Sequence, residues 1–183
     1  MGSPKLLLPW RGTTVISHLI HQWQQLGATQ IVVVVRPNDV PLSGELDRLQ
    51  FPASDRIDNP APDHGMFSSI ICASRWSGWQ ADVVSILVAL GDQPHLGVET
   101  LRQLLGFHAM NAGSVCQPEF EGRPRHPVIM PRQIFDKLKT SAAATLKDFL
   151  GGGSIARSYC PLKDPGLSLD MDTTEDYKRL KVF

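Results

Sequence analysis

The sequence predicts an α/β fold in which a mostly parallel sheet carries helices on both faces. Two observations lead there. The runs "IVVVV" at 31–35 and "VVSILVAL" at 83–90 are almost wholly apolar and rich in β-branched residues, as strands covered above and below tend to be. Between and after them, apolar side chains recur at helical spacing, and strands taking turns with helices imply parallel pairing through crossovers. A length of 183 residues fits one domain, read here as residues 1–183.

The elements follow in order. Val15, Ile16, Leu19, Ile20, Trp23 and Leu26 mark a helix over 13–26, with Thr13 or Thr14 as N-cap and Gly27 placed to end it. The strand 31–35 is closed by Pro37, Asn38 and Asp39. A short helix is expected at 43–49, and a strand at 56–58 leads into the loop "NPAPDHG". Helical spacing returns at 66–76, the strand 83–90 follows, and Leu101, Leu104, Leu105 and Phe107 mark a helix over 98–110. Strands are expected at 114–117 and in "HPVIM", and helices at 132–138 and 142–150. Thr173 and Asp176 have the spacing of a capping box for a last helix. Trp10, Trp76 and Trp79 are read as core.

Composition narrows the function. Eighteen basic and eighteen acidic residues leave no net charge, so no bulk attraction draws the chain to nucleic acid or an anionic membrane. The apolar runs fall well short of the roughly 20 residues that span a bilayer, and the N-terminus lacks a signal-like apolar stretch. A cytoplasmic location is expected. Cys72, Cys116 and Cys160 are too widely spaced for a zinc knuckle or disulfide framework and read as packing thiols. The six histidines show no metal-ligand spacing.

The strand 83–90 runs straight into Gly91, Asp92, Gln93 and Pro94. In open α/β sheets ligands sit beyond the C-terminal ends of strands, so Asp92 faces the expected crevice. A carboxylate there either caps the next helix as a turn residue or holds Mg²⁺ by one oxygen while phosphates and waters complete the octahedron.

Other motifs bear on that choice. "MGSPKLLLPWRGTTVISHLI", then "NPAPDHGMFSSI", "GDQP", "GRPRHPVIM" and "DMDTTEDY", resemble in this order the MobA-like nucleotidyltransferases. The segment Gly65-Met66-Phe67-Ser68-Ser69 and the stretch 122–130 are similar to the molybdenum cofactor cytidylyltransferase branch. The resemblance implies a three-layer Rossmann-like domain that transfers CMP from CTP to a molybdopterin-type acceptor with Mg²⁺ and releases pyrophosphate. It implies Lys5 on the phosphates, Asp92 on the metal, and Asp170 and Asp172 in a second acidic loop. Of these, Asp172 either shares the metal or caps the last helix. Asn59, Gly65, Ser68 and Ser69 match the nucleotide-binding loop, although Asn59 equally suits a turn and both serines suit a helix start. Arg123 and His126, with Arg125, would form a basic lip for the acceptor phosphate, or a solvated turn.

Two departures qualify the resemblance. In the family a first strand and a glycine-rich loop ending in arginine precede the point matched by Met1, and that strand is central. With Met1 read as the methionine of an Arg-Met-Gly motif, the first central strand is missing from residues 1–183, and a slot flanked by two unsatisfied ladders is expected. Such a chain would bind nucleoside triphosphate poorly by itself. The stretch "SAAATLKDFLGGGS" also replaces a Gly-Asp-rich loop. Three readings stay open: the cytidylyltransferase, a nucleotidyltransferase of another small phosphorylated acceptor, and a non-catalytic remnant partnering a client molybdoenzyme.

Overall fold

The computed structural model describes residues 4–182, so Met1 lies outside the described residues. A short hairpin, β1 (Pro9–Trp10) with β2 (Thr13–Thr14), leads into helix α1 (Val15–Gln25). The Thr14 side chain caps α1 by accepting from the Ser17 amide at 3.2 Å, a contact worth about 1 kcal/mol. Strand β3 (Val33–Val35), helix α2 (Val40–Arg48) and strand β4 (Arg56–Asp58) form a β-α-β unit whose strands pair in parallel. Helix α2 begins earlier than expected because Asp39 caps it, accepting from the Leu42 amide.

Helix α3 (Met66–Arg75) and strand β5 (Ser85–Val88) follow, the strand shorter than its apolar run. Next come α4 (Val98–Met110), β6 (Val115–Phe120), β7 (Arg123–Pro124), β8 (Val128–Pro131), α5 (Arg132–Lys137), α6 (Leu146–Gly151), β9 (Arg157–Pro161) and α7 (Thr174–Leu180). Strand β9 was not anticipated: "RSYCP" is short, mixed in polarity and ends in proline. Strands β5, β6 and β9 run one way while β7 and β8 run the other, in the order β5-β8-β6 with β7 and β9 both on β6. Three of these five strands share one direction and β3–β4 pair in parallel, with β7 and β8 reversed and helices on both faces, in the α/β class the sequence predicts.

The period of two along the strands sorts the core into layers. Ile86, Val115, Val128 and Met130 pack with Phe67 and Ile70 of α3 and Phe135 of α5. The intervening Cys116 and Ile129 pack with Leu104 of α4 on the other face. Val33 and Val35 close a third cluster with Ile16, Ile20, Leu42 and Leu46. Trp10 is fully buried with Val15, Met171 and Leu180, which clamps the N-terminal segment onto the C-terminal one. Trp79 is half-buried, edge-on to Phe135 at 5.8 Å, and Trp76 stands edge-on to Trp79.

Among the described residues no strand joins β3 to β5. Their facing edges border a cavity of about 490 Å³, lined by residues 31–34 on the β3 side and 85–91 on the β5 side. No helix among the described residues is long and apolar enough to cross a membrane.

Candidate active site

Strand β5 delivers Asp92 to the C-terminal end of the sheet, where the two ends of the chain meet. Lys5 sits in a single 3-10 turn, Lys5–Leu7, and its Nζ lies 2.6 Å from Asp172 Oδ1. Gly91 lets the Leu6 side chain lie against it, since a Cβ there would fall 2.7 Å from Leu6 Cδ2. The acidic loop 169–172 is tied to the same place by two bonds. The Met171 amide donates to the Asp92 carbonyl at 3.1 Å, and Gln93 Nε2 donates to Asp170 Oδ1 at 2.9 Å.

The electrostatics are lopsided. Burial, then the neighbouring Asp170 and Asp172 charges, push the Asp92 carboxyl above the usual carboxylate range against the opposing pull of its own backbone bond and Lys5. Its Oδ1 is buried and has no hydrogen-bond partner among the described residues. A buried carboxylate oxygen beside two other acids is an arrangement that a cation completes. Asp92 and Asp170 are the better placed pair to hold one, because Asp172 already faces Lys5. Among the described residues no group of three His, Cys, Asp or Glu side chains is arranged as a metal centre, so phosphate and water would supply the remaining ligands.

Neither helix-capping alternative is realised. Helix α4 starts at Gly97 with no side-chain cap, so Asp92 caps nothing. The last helix is capped by Thr173 and Asp176, which leaves Asp172 free for Lys5. That ion pair is largely exposed and worth under about 1 kcal/mol, so Lys5 can exchange its partner for an incoming phosphate at small cost.

Asn59 is a bracket more than an open contact. Its Oδ1 accepts from the Ala61 amide at 2.9 Å, the turn reading, while Nδ2 donates to Ser68 Oγ at 2.7 Å and Ser69 Oγ at 3.1 Å. Ser68 Oγ in turn donates to the Gly65 carbonyl, and Gly65 adopts φ of 78° where α3 begins. The loop from Asn59 to Ser69 is therefore preorganised as a unit.

The basic lip is not assembled as expected. Arg123 is exposed on β7, paired through its backbone with Phe120, and no side-chain hydrogen bond or ion pair holds it among the described residues. His126 instead lies half-buried beside the Val88 carbonyl and Asp170, and burial lowers its pKa, which favours the neutral imidazole. The residue that sequence reasoning missed is Gln93. It is buried at 6% exposure and orients Asp170, and its place directly after Asp92 was the available signal.

Comparison with known proteins agrees with this geometry. Residues 1–157 match the model of the MobA-like NTP transferase domain. The bifunctional protein GlmU of Leifsonia xyli subsp. xyli (strain CTCB07) is 33% identical over 108 residues, which are 58% of this chain and 21% of that protein; the chain thus spans about a fifth of that relative. Among solved structures, Rv0371c of Mycobacterium tuberculosis H37Rv superposes with a TM-score of 0.77 at 22% identity, covering 100% of this chain and 91% of the other. The same protein in complex with manganese gives 0.73 at 22% identity, covering 100% and 94%. Molybdopterin-guanine dinucleotide biosynthesis protein A of Archaeoglobus fulgidus gives 0.67 at 19% identity, covering 99% and 90%. With residues 1–157 of its 183 matched by the family model and Lys5, Asp92 and the 170–172 loop converging at the end of β5, the chain belongs to the MobA-like NTP transferase family.

Proposed function

We propose that this domain transfers CMP from CTP to a molybdopterin-type acceptor and releases pyrophosphate. The observation that carries the transfer chemistry is the meeting of Lys5, Asp92, Asp170 and Gln93 at one end of β5. An acceptor phosphate oxygen bonds to the α-phosphorus while the bond from that phosphorus to the bridging oxygen breaks, and pyrophosphate leaves with the electron pair. The protein's task is alignment and charge neutralisation. Lys5 meets the phosphates as a point charge, and Gln93 holds Asp170 in place beside Asp92. A divalent ion, Mg²⁺ in this proposal, would be held by Asp92 and Asp170 and would offset phosphate charge. The manganese complex of the mycobacterial relative supports a divalent ion of this kind.

Cytosine and the pterin acceptor rest on the likeness of Gly65–Ser69 and of 122–130 to the cytidylyltransferase branch. Ser69, whose hydroxyl hydrogen is not committed to a partner in the Asn59 bracket, is the side chain offered to the nucleotide. The open edges of β3 and β5 favour a second reading, in which residues 1–183 alone serve as a non-catalytic partner domain of a molybdoenzyme.

The test follows pyrophosphate from each nucleoside triphosphate with Mg²⁺ and molybdopterin, using residues 1–183 and the same chain with any in-frame upstream codons. Release from CTP that is lost in Asp92→Asn is the expected result. Release with a sugar phosphate but not the pterin would overturn the acceptor, preference for GTP would overturn the base, and no release from either form would leave the partner-domain reading.

A further inference from the structure

A second cavity, of about 340 Å³, opens at the N-terminal end of β3, whereas the Asn59 bracket adjoins the C-terminal end of that strand. It lies where α1 and α2 both finish. Gln24 and Ala28 border it on the α1 side, Leu49 and Gln50 on the α2 side, and the entry to β3, residues 29–31, forms its back. Ile20, Ile31, Leu49 and Phe51 give it an apolar floor, and Ile20 and Phe51 are at the same time part of the buried cluster around Leu46. The rim is polar but carries no lysine or arginine.

One carboxylate sits on that rim. Asp55, at the end of the 3-10 turn Ala53–Asp55, accepts from Gln30 Nε2 at 3.1 Å through Oδ1, and it has no ion-pair partner among the described residues. The adjacent Arg56 is engaged elsewhere, with Nη1 2.6 Å from Asp47 Oδ1 and Nη2 donating to the Phe51 carbonyl. Gln30 makes Asp55 part of a built wall. Its Nε2 also donates to the Gly78 carbonyl at 3.0 Å and its Oε1 accepts from the Gln80 amide at 3.0 Å, so the carboxylate is held in one direction before any ligand arrives. His21 Nδ1 donates to the Ser17 carbonyl at 2.8 Å, which leaves Nε2 as an acceptor in the neutral ring. Both helices present their C-terminal, partially negative ends to the same space.

Those charges select a ligand. A phosphate or carboxylate would meet Asp55 and two helix C-termini with no lysine or arginine to offset them, and a wholly apolar molecule would desolvate Asp55 without pairing it. An ammonium group on an apolar body answers both demands, giving N–H donors to the carboxylate and hydrocarbon to the floor. We propose that this cleft binds a small aralkyl ammonium compound, with its nitrogen at Asp55 Oδ2, which accepts no bond among the described residues, and its ring on Ile20, Leu49 and Phe51. A volume of about 340 Å³ is at the lower end for small-molecule sites, which suits one ring and a short arm. The inference stands apart from the proposed transfer reaction, because the cleft is at the other end of β3 and its test reads binding, not catalysis.

Phenethylamine is titrated into the protein at neutral pH and followed by backbone amide chemical shifts, with hydrocinnamate, of like shape and opposite charge, and butylamine, which lacks the ring, as comparisons. The aralkyl amine should bind with a Kd of about 1 mM and shift the Thr29, Gln30 and Gln50 amides. Hydrocinnamate should bind at least about tenfold more weakly. Asp55→Asn keeps an acceptor for Gln30 and should weaken phenethylamine by about fivefold. Gln80→Glu adds a carboxylate at the rim while its backbone amide stays on Gln30, and should strengthen binding by about threefold. No saturable binding, equal affinity for hydrocinnamate or butylamine, an unchanged constant in folded Asp55→Asn, or shifts confined to residues around Asp92 would each overturn the proposal.

Discussion

Gln93 donates to Asp170 at 2.9 Å from a buried position, so the residue after the candidate metal ligand holds in place an acidic residue 77 positions further along the chain. Gln93→Leu keeps the bulk and removes that donor. Its melting temperature should fall by an amount equivalent to about 1–2 kcal/mol, and divalent-dependent pyrophosphate release should drop by about tenfold. Full activity in a folded Gln93→Leu protein would show that Asp170 needs no support.

Asp92 makes stability depend on pH and on metal. Its carboxyl holds its proton more tightly in the folded chain than at the ordinary value of 3.8, chiefly because of burial. Its contribution to stability is therefore fully present below 3.8 and is lost as pH rises through the raised folded-state value. Without divalent ion, Asp92→Asn should melt higher than the wild type at pH 7 and lose this part of the pH dependence. Added Mn²⁺ should raise the wild-type melting temperature and leave Asp92→Asn unmoved; equal shifts in both would place the ion elsewhere.

Gly91→Ala tests the approach of the N-terminal turn. The new Cβ, 2.7 Å from Leu6 Cδ2, would displace a flexible side chain, so the stability cost should be modest, about 1 kcal/mol. The larger effect should fall on Lys5, with weaker nucleotide binding by calorimetry. Unchanged binding would mean that the position of this turn is unimportant.

Glu45 gives a pH signature away from the site. It accepts from Arg48 Nε at 2.7 Å within α2 and from Thr14 Oγ1 at 2.6 Å, the latter linking the start of α1 to α2, and these bonds draw its pKa from 4.5 down to about 2. The lowered value contributes stability above pH 4.5 that is lost as pH falls toward about 2. Glu45→Gln should therefore cost about 1 kcal/mol at pH 7 and progressively less below pH 4.5, as read from urea midpoints at several pH values.

Strand, helix and cap positions were largely legible because period and capping chemistry are local. Thr14, and the Thr173–Asp176 pair, fall where the sequence puts them. Antiparallel β8 was legible as a strand but not in its direction, which depends on how β5 and β6 meet it. Asp92 and Lys5 stood out through motif and position. Their partners were harder, since the Gln93–Asp170 bond joins residues 77 apart in sequence, and only the place of Gln93 beside Asp92 hints at it. The surroundings of His126 were illegible for the same reason: burial beside Val88 lowers its pKa, and its sequence neighbours do not show that.

The contact between Lys5 and Asp172 has a consequence for synthesis. A chain emerging from the ribosome can build the β3–β4 unit and much of the larger sheet while its acidic loop is still unmade. Lys5 waits without this partner until residue 172 has left the exit tunnel, so nascent chains stalled earlier are folded intermediates in which the candidate site is incomplete.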